Sequence, residues 1–242
     1  MVKLMYCLRR QPHLSLEEFQ AHWLEYHSQF GLRIKSCRRY VQYHNLANDP
    51  IREMMAQAGA ATVEPYDGLA VAWFDSLEAF RTAMEKSSDV AEALEDEKLF
   101  IDHSRSNACL TQEQVVVEPQ GPVSIVLIEC LRRRSDMDRV AFQKAWLHHS
   151  EIPRRAHTQG FLMGYIQNHT LLGEAGAVGE LTAEEPFDGI VTAYFGSLIR
   201  FRALITSPLA AQESFEDEKK FIDHSRTAYM LTRPHVIKDL IR

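Results

Sequence analysis

The 242-residue chain predicts an α+β fold: two tandem ferredoxin-like βαββαβ modules packed sheet to sheet. Three observations lead there. The chain repeats itself, and each copy reads strand, helix, strand, strand, helix, strand. Each copy also carries an apolar sheet face that needs a cover, which the other copy can supply. Two copies fall short of a solenoid, so a pseudo-symmetric pair is expected. The boundary is placed near Glu118 to Gly121, giving a first module over residues 1–118 and a second over 119–242.

The repeat holds its order through both halves. Cys7-Leu8-Arg9-Arg10 returns as Cys130-Leu131-Arg132-Arg133, and Phe19 with Trp23 returns as Phe142 with Trp146. Tyr40-Val41-Gln42-Tyr43-His44 matches Tyr165-Ile166-Gln167-Asn168-His169, and Pro65-Tyr66-Asp67-Gly68 matches Pro186-Phe187-Asp188-Gly189. The longest block is Phe100-Ile101-Asp102-His103-Ser104-Arg105 against Phe221-Ile222-Asp223-His224-Ser225-Arg226, preceded in both copies by Glu-Asp-Glu-Lys.

Within the first copy, Lys3 to Leu8 is a short apolar run, as a buried strand is. Ser15 to His27 reads as a helix, with Ser15 and Glu18 as a capping box and Leu16, Phe19, Trp23 and His27 on one face. Asp138 takes the cap position in the second copy. Arg39 to Asn45 alternates as a strand and Leu69 to Phe74 is the next. Helical stretches follow from Leu77 and Asp89, the latter matched by Ser207-Pro208 with proline at the first helical position. The last strands are expected over Asn107 to Thr111 and Tyr229 to Thr232. The sheet face bearing Leu4, Leu8, Leu69, Val71 and Trp73 is the one expected to meet the other copy.

Composition narrows the function classes. Hydrophobic residues are 45% and charged ones 25%, ordinary for a globular chain with a core. A net charge of −6 argues against a nucleic-acid partner. No apolar run reaches the ~18 residues of a membrane span, and no signal peptide is visible, so no membrane partner and a cytoplasmic location are expected. The four cysteines have no metal-type spacing, and Cys7 and Cys130 read as small buried hydrophobes. There is no HExxH, GxGxxG, Walker loop or GxSxG, so neither a metal nor another cofactor is expected.

Taken together, the N-terminal strand, Phe19…Trp23…His27, Tyr40-Val41-Gln42…His44, Pro65-Tyr66-Asp67-Gly68 and Asp96-Glu97-Lys98…Phe100-Ile101-Asp102 resemble the EthD domain family. The resemblance covers nearly all of each half. It implies the dimeric α+β barrel superfamily, here formed within one chain, with a central cavity. That superfamily includes cofactor-free isomerases, polyketide cyclases and dehydratases, quinone-forming monooxygenases and haem-binding branches, so fold membership leaves the chemistry open.

Histidine, carboxylate and tyrosine are the chemistry on offer, which favours acid–base catalysis. If Val41 and Ile166 face the helices, then Tyr40, Gln42 and His44, with Tyr165, Gln167 and His169, point into the inter-sheet cavity. Glu129 stands mid-strand in apolar company where the first copy has Tyr6, so burial would raise its pKa. His27 and His149 face inward from the first helix of each copy; a purely packing role is the alternative. Asp102 and Asp223 could orient His44 and His169, or could belong to salt-bridged turns with Arg105 and Arg226. Trp73 and Tyr194 are further candidates for holding a substrate. The long segments Leu46–Glu64 and Thr170–Glu185 are expected to be lids above His44 and His169.

The expected function is a cofactor-independent lyase or isomerase acting on an aromatic or polyketide-like small molecule by dehydration, cyclisation or related proton transfer. A non-catalytic binding protein and a cofactor-free or haem-dependent oxygenase are the alternatives. One working site is expected, in the second half, because only that half has the equivalent of Glu129. Pairing of two tandem units into a homodimer is left open.

Overall fold

A computed structural model describes residues 1–57, 62–173, 178, 181 and 185–241. Eight strands carry the fold: β1 (Val2–Leu8), β2 (Cys37–Asn45), β3 (Gly68–Phe74), β4 (Asn107–Val117), β5 (Ile125–Leu131), β6 (Gly164–Thr170), β7 (Gly189–Phe195) and β8 (Ala228–Asp239). They close into one barrel in the order β1-β3-β2-β8-β5-β7-β6-β4, with each neighbouring pair antiparallel. Each half thus supplies four consecutive strands, and the halves join along two seams, β2 against β8 and β4 against β6. The sheets are not merely stacked; they share hydrogen-bonded edges, which leaves no open edge to protect.

The seams explain a difference from the sequence reading. β4 and β8 run six and seven residues past the expected ends at Thr111 and Thr232. The extra residues, such as Gln112 to Val117, pair with the other half: Gln112 with His169, and Val115 with Ile166. Their polar alternation hides a strand whose partner lies a half-chain away.

Helices cover the outside. In the first half they are α1 (Leu16–Ala21), a wider π-type turn (His22–His27), α2 (Ser28–Arg33), α3 (Ile51–Gln57), α4 (Leu77–Lys86) and α5 (Ser88–Phe100). The second half has α6 (Arg139–His149), α7 (Glu151–Thr158), α8 (Leu198–Ile205) and α9 (Phe215–Glu218), the last preceded by a π-type turn over Leu209–Ser214. The expected capping box is present: Ser15 accepts from the Glu18 backbone, and Glu18 reaches back to the Ser15 N–H. Asp138 caps α6.

Three apolar clusters fill the molecule. The barrel interior holds Met5, Cys7, Val41, Val71, Ile128 and Met230. The other two lie between barrel and helices, around Trp23, Phe19 and Phe80 in the first half and Trp146, Phe142 and Phe201 in the second. Both faces of the strands are therefore buried, and neither repeats a polar-out pattern.

The shared blocks are largely the parts that hold helix to sheet. A Cβ on Gly68 would stand 2.5 Å from the Trp23 ring, and one on Gly189 would overlap Trp146, so only glycine lets the indole lie on the strand. Asp67 accepts from the Arg10 backbone N–H at 2.9 Å and pairs with its guanidinium. Asp188 repeats this with Arg133 and adds Arg139. Among the described residues no helix is long and apolar enough to cross a membrane.

Candidate active site between sheet and helices

The inter-sheet space is not the cavity. Cys7 Sγ lies 3.4 Å from Cys130 Sγ across the barrel, and the polar end is closed by Lys3, Glu113 and Asn168, with the Lys3 ammonium 2.7 Å from Asn168 Oδ1 and ion-paired to Glu113. Open space lies on the other strand face. Each half has a cavity between its sheet and its helices, about 160 Å³ in the second half and about 100 Å³ in the first.

In the second half, Glu129 projects from the middle of β5 into that cavity beside Tyr165 and Tyr229, with Leu127, Ala193 and Phe195 as apolar neighbours. Cross-strand pairing sets Glu129 directly against Tyr229. Burial, and next the negative charge of Glu218, hold the Glu129 carboxyl well above the ordinary carboxylate range. Glu218 hangs from α9 on the opposite wall, where it accepts from Ser214 Oγ at 2.7 Å. Two imidazoles flank it: His149 Nε2 is 3.7 Å from one carboxylate oxygen and His224 Nε2 is 3.6 Å from the other. His149 Nδ1–H donates to Asp217 at 2.8 Å, which fixes the ring and turns Nε2 toward the cavity. His224 Nδ1 pairs with the Tyr229 hydroxyl at 2.7 Å.

The first half has the same frame with different contents. His27 Nδ1 pairs with Asp96 at 2.8 Å, the counterpart of His149 with Asp217. His27 lies four residues past Trp23 whereas His149 lies three past Trp146, and the π-type turn absorbs the extra residue. Glu97 takes the place of Glu218, and burial, then the neighbouring Asp96, pushes its carboxyl up to about 8. Tyr6 occupies the Glu129 position, and its hydroxyl reaches His103 Nδ1 at 2.7 Å. Its cross-strand partner is Ala108, where the second half has Tyr229. The histidine-bonded tyrosine thus stands on the first strand in one half and on the last strand in the other, and the second half has a carboxyl at the wall position that Tyr6 fills in the first.

The two long loops cross over. Ile51, Met54 and Met55 of the first-half segment line the second-half cavity, and Leu181 of the second-half segment lines the first-half cavity. Leu46 N–H donates to Leu231 O, and Asp49 accepts from Leu231 N–H, so the first loop is tied to β8. Each half therefore covers its neighbour rather than itself. Parts of both expected lids, 58–61, 174–177, 179–180 and 182–184, lie outside the described residues.

The structure sorts the remaining candidates. His44 and His169 line neither of these two cavities. Val41 and Tyr43 face the barrel interior, so Tyr40, Gln42 and His44 face the helices, the reverse of the expected parity. His44 stacks on Trp23 at 4.6 Å and His169 on Trp146 at 4.6 Å. Gln42 gives its amide N–H to Trp23 O at 2.8 Å, so its Oε1 accepts from His44 Nε2–H at 2.9 Å; Gln167, Trp146 and His169 repeat this. Burial lowers the His44 pKa to about 3 and the His169 pKa to about 4, so both rings are neutral packing groups. Asp102 and Asp223 orient neither histidine; they cap short turns and bind Arg105 and Arg226 at 2.7 Å. Trp73 and Tyr194 lie in the barrel interior, where Trp73 donates to Glu113 and Tyr194 stands 3.4 Å from Tyr43. Glu129, Tyr165 and His149 are brought together in one cavity, and Tyr6, Tyr40 and His27 in the other.

Glu97, Glu218, Ser214 and Tyr229 are candidate site residues that the sequence reading passed over, and His224 entered it only as part of the longest shared block. The signal was the Glu-Asp-Glu-Lys block, in which the Asp binds the helix-one histidine and the second Glu turns to the cavity. Among the described residues no cluster of three metal-type ligands exists.

Known structures share the fold at low identity. An anthrone oxidase-like protein superposes with a TM-score of 0.57 at 9% identity, covering 99% of this chain and 94% of that one. A mutant chlorite dismutase from Candidatus Nitrospira defluvii gives 0.55 at 9%, covering 98% and 92%. A proposed monooxygenase from Lactobacillus acidophilus NCFM gives 0.52 at 9%, covering 99% and 96%. No curated protein sequence matches the chain. The model of the EthD domain matches twice, over residues 11–104 and 134–225. The chain belongs to the EthD domain family and carries two copies of that domain in tandem.

Proposed function

We propose that the second-half cavity is the active site of an enzyme that moves a proton on a compact, largely apolar carbon acid, as a lyase or isomerase without a bound cofactor. In this reading the two halves are diverged ferredoxin-like modules, and one retains the chemistry. The observation that carries it is Glu129, a carboxyl with no hydrogen-bond partner among the described residues, facing Glu218 and the Asp217-backed His149 across an apolar cavity.

Two carboxyls that share a dry space resist ionising together, so one keeps a proton. Glu129 is that one, and serves as the acid. It donates to a carbonyl oxygen of the substrate while His149 Nε2 or Glu218 takes the proton from the adjacent carbon. The product of this step is an enol. Return of the proton to a different carbon gives isomerisation; departure of a β-hydroxyl as water, protonated by the group that took the carbon proton while the enol O–H returns its proton to Glu129, gives dehydration. Tyr165 and the lid residues Met54 and Met55 hold the apolar body.

Size restricts the substrate. The second-half cavity of about 160 Å³ is close to the ~150 Å³ of an engineered apolar cavity that accepts benzene. A single ring or a body of that size fits as the structure stands. A haem does not: the cavity is below the ~300 Å³ of a small drug site. The likeness to an anthrone oxidase-like protein favours one further reading, in which the same deprotonated substrate reacts with dioxygen.

The test is solvent-deuterium exchange into a panel of enolisable single-ring ketones, followed by NMR. Wild type is expected to label the carbon beside the carbonyl, and Glu129→Gln to fold but not label it. Saturable binding without labelling or product would leave a carrier and sink the proposal; consumption of oxygen would select the oxidative reading.

A further inference from the structure

The first-half cavity has no part in that chemistry, yet it holds a buried polar atom without a partner. Glu97 hangs from α5 over a space walled by Leu4, Ala70, Ala72, Phe74 and Met84. Its Oε2 is buried and makes no hydrogen bond among the described residues. His103 Nε2 stands 3.8 Å from this oxygen and His27 Nε2 3.8 Å from Oε1, both beyond hydrogen-bond reach. In the second half Ser214 satisfies the equivalent carboxyl, but one turn before Glu97 the first half has Ala93. An unmatched buried polar group is costly and calls for an explanation. A cavity of about 100 Å³ beside it supplies one.

We infer that the first-half cavity is a second, non-catalytic small-molecule site, which takes a compact neutral molecule with one carbonyl or hydroxyl oxygen set against Glu97. The wall position that carries Glu129 in the other half carries Tyr6 here, and its hydroxyl is tied to His103. Asp96 is engaged by His22 and His27, so no second carboxyl faces the guest. With its proton retained at neutral pH, Glu97 donates to the guest oxygen. The volume is below that of a benzene cavity and suits a body of about five carbons. Leu181, from the other half, closes the space.

Cyclopentanone is a suitable probe, followed by saturation-transfer NMR on the full chain. Ala193→Leu fills the second-half cavity, and Ala72→Leu is the same change at the equivalent first-half position. Saturable transfer is expected to survive Ala193→Leu and to vanish when Ala72→Leu is added. In the Ala193→Leu background, Glu97→Met is expected to weaken the probe about three- to tenfold, the loss of one hydrogen bond. If Ala193→Leu does not fold, titration of wild type against Ala72→Leu reads the same quantity as a fall from two sites to one. Loss of all saturable binding in folded Ala193→Leu, an affinity unmoved by Glu97→Met, or equal stoichiometry in wild type and Ala72→Leu would overturn the inference. None of these readouts needs turnover, so failure of the second-half assignment is scored separately.

Discussion

The two halves of this chain share a scaffold and differ in what they place under it. Trp23 and Trp146 lie on Gly68 and Gly189, each indole stacked on a neutral histidine, and Asp96 and Asp217 each hold the histidine of the first helix. A clear difference lies in the wall: Tyr6 opposite Ala108 in one half, Glu129 opposite Tyr229 in the other. In both halves a tyrosine pairs with the histidine of the Asp-His-Ser-Arg block, from the first strand in one half and the last strand in the other, and the second half carries a carboxyl where the first has its tyrosine. Under the proposed function, that disagreement between the halves is where the chemistry sits.

The largest expected effect is at that disagreement. Glu129→Gln keeps size and removes the acid, so turnover is expected to fall by about 10²- to 10⁴-fold. Tyr6→Phe, the pseudo-equivalent change, is expected to leave turnover within about threefold, because its hydroxyl serves His103 in the other cavity. Steady-state kinetics on both variants check this, and comparable losses would break the comparison.

The shared scaffold predicts equality instead. Trp23→Ala and Trp146→Ala are each expected to cost about 3–5 kcal/mol in denaturant unfolding, as large aromatic truncations do. A cost borne by only one half would mean that the scaffolds are not equivalent.

Stability against pH sharpens the comparison further. Glu97 ionises near 8 when folded against an ordinary value of 4.5, so between those values the folded chain holds a proton that the unfolded chain has released. Its contribution to stability therefore falls as pH rises from about 4.5 to about 8 and is flat above, an effect on the order of a few kcal/mol. Glu129 adds to the same decline. Glu97→Gln and Glu129→Gln should each flatten part of it, and unfolding free energies at pH 5 and 8 measure the change. A wild-type curve that rises through this window would contradict the burial of both acids.

The smallest effect on activity is expected at His44 and His169. Each change to Ala is expected to cost about 1–3 kcal/mol of stability through the lost stack and hydrogen bond, with turnover retained. Kinetics on the folded double variant would show otherwise if either ring carried protons.

Much of this was legible in the residues. The repeat, the Ser15–Glu18 cap, the strand positions and the Tyr6/Glu129 asymmetry were all visible, because each depends on local pattern. Strand parity was not. Alternation separates Val41 and Tyr43 from Gln42 and His44, but in a barrel covered by helices both faces are dry, and polarity does not say which is inside. Gln42 and His44 satisfy each other and the Trp23 carbonyl, so they can lie under a helix at little cost. The crossed lids depend on seams between strands far apart in sequence, which no local window contains. Glu97 and Glu218 were hidden in a charge run that reads as solvent-facing, although in each run the Asp binds a histidine and the second Glu turns to the cavity.

The account rests on Glu129 holding its proton in the second-half cavity. Carboxyl-carbon NMR of glutamate-labelled protein, with Glu129→Gln to assign the resonance, measures this directly. The account predicts that Glu129 titrates well above 4.5 and that Glu218→Gln moves it down, because removal of the facing charge favours ionisation. Titration of Glu129 near 4.5, unmoved by Glu218→Gln, would contradict it.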